Sequence, residues 1–330
     1  MLSTKTAAGG SSSSGLKQWL IQNSVILGMI AVLIVFGIIN PKFAAPKNLS
    51  NVLYQSSLLI IMAIGMMMAM SVKAVDLSIA YVADAAGLLA AMMVIRSWPS
   101  AAVFLLPVVF GVFIGLCNCL FVSYLGLSAI IATLGQMLII RSFELMLTNS
   151  AEAQILFMLP PNQTKTFFYL GTGKLFGMPF LTIFTVLVII AAYFIRHRTV
   201  LGREMDAVNG NARVALLSGV NVRKVFGAAF ILGSVFSSIS GIALVSRTGS
   251  AVPTSVEGYL MDCFVSVYLG AIISKNNRMT VIGTAIGALF TRLVSNWITI
   301  MGLGAAHKDI INGAIILAAL SIGALKKQHE

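Results

Sequence analysis

Of the 330 residues, 58% are apolar and only 10% charged, with a mean hydropathy of +0.96, which excludes a soluble domain of ordinary composition. At roughly 20 apolar residues per crossing, about ten crossings consume about 200 residues, so no appended enzyme module of about 150 residues fits. The 22 basic residues outnumber the 10 acidic ones, a net +12 that belongs to cytoplasmic loops and their lipid surface and does not indicate a nucleic-acid partner.

In chain order, residues 1–17 are rich in Ser, Gly and Thr without apolar periodicity and are expected to form a disordered cytoplasmic tail. Residues 18–325 read as one all-α integral membrane domain, followed by a short cytoplasmic tail at 326–330. Apolar runs predict spans at about 19–39, 50–72, 76–95, 101–123, 128–148, 177–195, 225–246, 259–273, 280–301 and 309–325. The first is too long for a signal-peptide core and is read as an uncleaved span. The tight turn at 73–76 makes 73–95 a candidate broken or re-entrant helix, which is tolerated where it lines a cavity. With an inside N-terminus, both termini and most of the basic residues fall on the cytoplasmic side.

The longest cytoplasmic loop, 196–224, looks like a docking element. Asn209-Gly210 signals a turn, and Asn211 is placed to cap a short helix over 212–218 that stops at Gly219 and presents Leu216 and Leu217 as apolar contacts. The plainer alternative is an interfacial helix that anchors the cytoplasmic side.

Ionisable residues inside spans are costly, so Asp76, Asp84, Arg141, Glu144, Asp262 and Arg292 carry information. Arg141 and Glu144, spaced i, i+3, are expected to neutralise each other, and Asp262 and Arg292 to be structural. Asp76, with Ser78, is expected to cap its helix. Asp84 has no base at i±3 or i±4, so it should face a cavity. There, with Asp76, Ser78, Asn118, Gln136 and Asn296, it would offer hydrogen-bonding groups to a polyhydroxylated solute, the alternative being polar adhesion between helices.

Catalytic machinery is not expected. Gly171-Thr-Gly-Lys174 lacks the rest of a phosphate-binding loop, His197, His307 and His329 are scattered, and neither a metal cluster nor a nucleophile beside a base stands out. The methionines from Met62 to Met70 read as packing residues. Gly283 and Gly287 permit close helix approach, within the subunit or at a dimer interface. A charged turn before a small-residue helix at 73–90 and again at 275–290 hints at repeated halves.

Several segments resemble a known family. Leu201-Gly202-Arg203, Asn209-Gly210-Asn211-Ala212 and Leu217-Ser218-Gly219-Val220-Asn221-Val222 resemble the cytoplasmic loop of bacterial sugar ABC importer permeases of the ribose and autoinducer-2 type. Val75-Asp76-Leu77-Ser78, Ile130-Ile131-Ala132-Thr133-Leu134 with Arg141 and Thr148-Asn149, Gly258-Tyr259 with Asp262, Leu269-Gly270 and Ile282 to Ala288 follow in family order. Ala74, Asp84 and the stretch 271–279 depart from the family pattern.

The resemblance implies a permease that imports a monosaccharide, polyol or related solute by alternating access across the bacterial inner membrane. It implies a second permease subunit, identical or sister, and an extracytoplasmic sugar-binding protein. It further implies ABC ATPase subunits that use ATP and Mg, this chain binding no cofactor of its own. Arg203, Glu204, Asn209, Gly210, Asn211, Arg213 and Gly219 would form the coupling loop. The alternative function is an ion-coupled secondary transporter using Asp76, Asp84 or Glu144.

Overall fold

The computed structural model describes residues 24–150, 152–274 and 278–328. The expected tail at 1–17, residues 329–330 and part of the divergent 271–279 stretch lie outside them. Among the described residues, ten helices fall on the ten expected spans: α1 (Ser24–Ile39), α3 (Pro46–Met70), α4 (Ile79–Ile95), α5 (Ser100–Cys119), α6 (Ala129–Leu147), α8 (Phe180–Arg198), α10 (Val222–Thr248), α11 (Glu257–Ile273), α12 (Val281–Ile300) and α13 (Ala305–Gln328). Shorter or amphipathic helices lie between them: α2 (Pro41–Ala44), α7 (Pro161–Thr172) and α9 (Val200–Leu217). A π turn over Leu120–Tyr124 extends α5, and small two-residue strands pair Gln154–Ile155 with Ser250–Ala251 and Lys174–Leu175 with Met178–Pro179. Six of the helices are by themselves long and apolar enough to cross a bilayer. This is an all-α, multi-span membrane protein. Residues 326–328, expected as tail, continue α13.

The chain is built from two halves of matching plan. α3, α4, α5 and α6 have 25, 17, 20 and 19 residues; α10, α11, α12 and α13 have 27, 17, 20 and 24. In each half the long first helix and the 17-residue helix are joined by an irregular linker, 71–78 or 249–256, and each linker holds a non-glycine residue at positive φ, Lys73 or Thr254. The counterpart of 71–95 is therefore 249–273, not the 275–290 segment that composition indicated. The long helices are exchanged: α10 packs mainly on α5, α4 and α3, whereas α3 packs on α12, α11 and α10.

Close backbone approach makes this exchange possible. A Cβ on Gly65 would lie 2.6 Å from the Gly233 carbonyl, and one on Gly115 would lie 2.6 Å from Ile231 Cα. Gly241 leaves no room for any side chain against the Ala83 carbonyl. Around these contacts three buried α10 serines donate outward, Ser240 to the Leu58 carbonyl (2.8 Å), Ser246 to the Phe167 carbonyl (2.6 Å) and Ser237 to the Ile79 carbonyl. Small residues and cross-helix hydroxyls hold helices together where lipid supplies no hydrophobic drive. The methionines of α3 fill this core. Gly283 and Gly287 pack on Gly270 and Ser266 of α11, so their role is within the subunit.

Candidate functional site: a polar seam and an exposed helix

The Ile79 carbonyl bonds Ser237, near the middle of the 27-residue α10, so α4 starts deep within the fold after its linker has risen from the end where Val72 packs with Val225. That is the broken segment expected at 73–95. Its irregular backbone is satisfied by side chains: Thr133 Oγ1 accepts from the Leu77 N–H (3.0 Å) and lies 3.3 Å from the Val75 carbonyl. Asp76 Oδ1 accepts from the Ser78 N–H (2.9 Å) and Oγ–H (2.6 Å), and Asn118 donates to Ser78 Oγ at 3.0 Å. Asp76, Ser78 and Asn118 thus meet in one buried cluster, with Asp76 Oδ2 and Asn118 Oδ1 left without partners.

From this cluster a polar seam runs along α4 and α6. The buried stripe of α6 consists of Ala132, Thr133, Gln136, Ile140 and Glu144, at helical spacing and turned toward α4. Asp84, 8% exposed, accepts from Ser255 Oγ at 3.1 Å, and the linker amides of 254–256 turn toward it. Glu144 is fully buried; neither of its oxygens is within good hydrogen-bond geometry of a donor, although the Thr254 amide of the linker is turned toward it. Arg141 does not pair with Glu144. Its Nε lies 3.7 Å from Glu257 Oε1, which also accepts from Tyr81 Oη at 3.0 Å. The i, i+3 expectation fails because Glu257, delivered by the 249–256 linker, meets Arg141 on the half-exposed rim while Glu144 points inward.

Three other expectations resolve elsewhere. Asn296 does not join the seam: it exchanges hydrogen bonds with Asn48 (2.8 and 3.1 Å) and ties α12 to the start of α3. Asp262 is fully buried and bonded to Lys308 Nζ (2.7 Å) and Asn312 Nδ2 (2.8 Å), a structural link between α11 and α13. Arg292 lies over the Tyr259 ring, 4.6 Å from its centroid. Tyr81, Ser255, Glu257, Lys308 and Asn312 were not singled out from the sequence, and Thr133 was noted only within a family-like motif. Only Tyr81, one helical turn before Asp84, carried a local signal.

At the opposite end, the 196–224 segment is a helix with a break. Thr199 caps α9, Gly202 lies against the Arg196 carbonyl, and the buried Arg196 donates to the Gly202 carbonyl (3.0 Å) and to Asp206 Oδ1 (2.5 Å). The break falls at Asn211 (φ −154°, ψ 108°), one residue after the Asn-Gly signal, because Gly210 stays helical. Asn211 Oδ1 accepts from the Arg213 and Val214 N–H groups at 3.0 and 3.2 Å, the expected cap. Gly219, at φ +87°, closes the helix: its N–H reaches the Leu216 carbonyl and the Val220 N–H reaches that of Ala215. Gly202, Met205, Val208 and Ala215 are buried, whereas Arg203, Arg213, Val214, Leu216 and Leu217 face outward, Leu217 being 83% exposed.

A seam of orphaned acceptors at the centre and a capped, outward-facing helix at one end are the parts a transport subunit needs, and comparison with known proteins points the same way. The ribose import permease protein RbsC of Escherichia coli is 29% identical over 306 residues, covering 93% of this chain and 94% of that protein. The protein of the same name from Bacillus subtilis is 28% identical over 294 residues, covering 89% and 90%. The galactose/methyl galactoside import permease protein MglC of Haemophilus influenzae is 28% identical over 313 residues, covering 89% and 92%. No solved structure matches. Residues 48–320 match the family model described as the permease component of the branched-chain amino acid transport system, and the chain belongs to that permease family.

Proposed function

We infer that this chain is the membrane-spanning subunit of an ABC importer that moves a monosaccharide, polyol or related sugar-like solute across the bacterial inner membrane, with both termini cytoplasmic. The observation that carries this reading is the end-to-end similarity to ribose and galactose import permeases, which favours it over an ion-coupled transporter. The solute passes along the α4–α6 seam, where Asp76, Ser78, Asp84, Asn118 and Gln136 face the interior. An extracytoplasmic binding protein delivers it, and a second permease subunit completes the path. ATP and Mg belong to the partner ATPases, and this chain carries neither a cofactor nor a catalytic group.

α9 is the ATPase contact. Arg196, Arg198, Arg203, Arg213, Arg223 and Lys224 cluster at its end of the molecule, which supports a cytoplasmic location for that end. Arg203, Glu204, Asn209 and Arg213 form a polar rim around Val214, Leu216 and Leu217, while Asn211, Gly210 and Gly219 set the shape of the helix. Closure of the ATPases displaces this helix and rocks the halves between inward and outward openings. The test is co-purification in mild detergent followed by uptake and ATPase assays of Arg203→Glu with Arg213→Glu. Recovery of an ATPase with the wild-type chain, together with hydrolysis that persists without uptake in the double variant, is the expected result. Normal substrate-stimulated hydrolysis and uptake in the variant overturn the assignment of α9.

A further inference from the structure

The two halves place an acid at the same position and treat it differently. Asp84 is the sixth residue of α4 and Asp262 the sixth of α11, two 17-residue helices that follow matching linkers. In each half the helix two further along the chain packs against the acidic one, α6 on α4 and α13 on α11. α13 brings Lys308 and Asn312, which occupy both oxygens of Asp262. α6 brings a second acid, Glu144, on the buried stripe that faces α4.

The consequence is a deficit of donors and of positive charge. Glu144 is 0% exposed with both oxygens unbonded, and Asp84 is 8% exposed with Oδ2 unbonded. The base in reach, Arg141, is engaged by Glu257 at the rim, so three carboxyl groups face one guanidinium. A single proton shared by Asp84 and Glu144 serves at most two of the three orphaned oxygens. Buried charge without a partner is costly, and a donor that is also charged relieves both deficits. An ammonium group has three donors, which matches the three orphaned acceptors. A metal ion fits less well: among the described residues no group of three or more His, Cys, Asp or Glu side chains is placed to hold one. The Arg141 and Glu257 side chains above the two acids are half exposed, at 46% and 44%.

We propose that the α4–α6 seam is a solute subsite completed by an ammonium group, that of an amino sugar or aminated polyol, which lies between Asp84 and Glu144 where the second half supplies Lys308. This rests on the import reading above and narrows its substrate class. Asp76 Oδ2 and Asn118 Oδ1, further along the seam, remain as acceptors for the hydroxyls of the same solute.

The test is saturation-transfer NMR on the full chain in lipid nanodiscs at pH 7 in potassium buffer. It compares three pairs that differ by one ammonium-for-hydroxyl exchange: D-glucosamine with D-glucose, D-galactosamine with D-galactose, and 1-amino-1-deoxy-D-glucitol with D-glucitol. In at least one pair the amine is expected to bind about tenfold more tightly, the advantage of a charge-assisted contact. Asp84→Asn with Glu144→Gln removes that advantage, so that the ratio of amine to neutral affinity within the pair falls to about one. These isosteric changes are checked by monodisperse elution and unchanged helical circular dichroism, with Glu144→Gln alone as the fallback. Equal binding within every pair overturns the proposal, as does an amine preference that survives the variants, or displacement of the amine when sodium replaces potassium. Neutral sugars that bind and stimulate ATP hydrolysis in the reconstituted complex, without any amine preference, sink this subsite and leave the import reading standing. If no sugar, aminated or neutral, binds or stimulates hydrolysis, both fall.

Discussion

Asp262 and Lys308 form an ion pair whose acid is fully buried, so removing only the base leaves a charge with no compensation. Lys308→Met should destabilise the protein by about 3 kcal/mol, read as a lowered detergent melting temperature, and adding Asp262→Asn should recover most of the loss. An unchanged melting temperature in the single variant would show the pair to be dispensable. Asp262 was legible as a costly in-membrane acid, but its partners were not, since Lys308 and Asn312 lie 46 and 50 residues away. Arg141 shows the same limit. Local spacing pointed to Glu144, and only the long-range linker that carries Glu257 decides the pairing. Asp84 was read correctly as lacking a local base, because that inference needed only its own helix. Asn296 was assigned to the seam on polarity alone, and polarity does not say which face of α12 meets which neighbour.

At the scale of elements, α9 was legible in detail because its shape is set locally. The cap at Asn211 and the stop at Gly219 both follow from backbone chemistry within a few residues. Asn211→Ala should cost about 1 kcal/mol of local helix stability, seen as faster amide hydrogen exchange over 212–218 with no change in the exchange of α3 or α10. The same variant should lower transport more than membrane insertion. α10 was less legible: its glycines and serines were visible, yet which helix each would meet was not. Gly241→Leu should prevent α4 from seating on α10, with loss of monodisperse protein, whereas Gly210→Ala, at a site with open space around it, should be accepted. Monodisperse, wild-type-like protein from Gly241→Leu would contradict the packing described.

At the scale of the whole molecule, the ten apolar helices and the all-helical fold were legible, since apolar runs of sufficient length leave a membrane chain few choices. The pairing of the halves was not, because the repeat lies in helix lengths and linker shape rather than in residue identity. Exchange of α3 and α10 means that neither half holds its own long helix against its own partners. Fragments 1–198 and 199–330 expressed separately should therefore be degraded, and expressed together should co-purify as a stable complex. Independent survival of either fragment would count against the interlocked arrangement.

The exchange also sets a timetable for synthesis. α3 is complete at residue 70, but its neighbour α12 begins only at residue 281. At the usual pace of translation the ribosome needs roughly 10–40 s to cover that interval. For the greater part of it, until α10 is made at residues 222–248, α3 waits in the bilayer without its main partner. Its run of methionines suits that wait: flexible thioether side chains rest against acyl chains as readily as against protein, so the helix can be held in lipid without committing to a wrong contact.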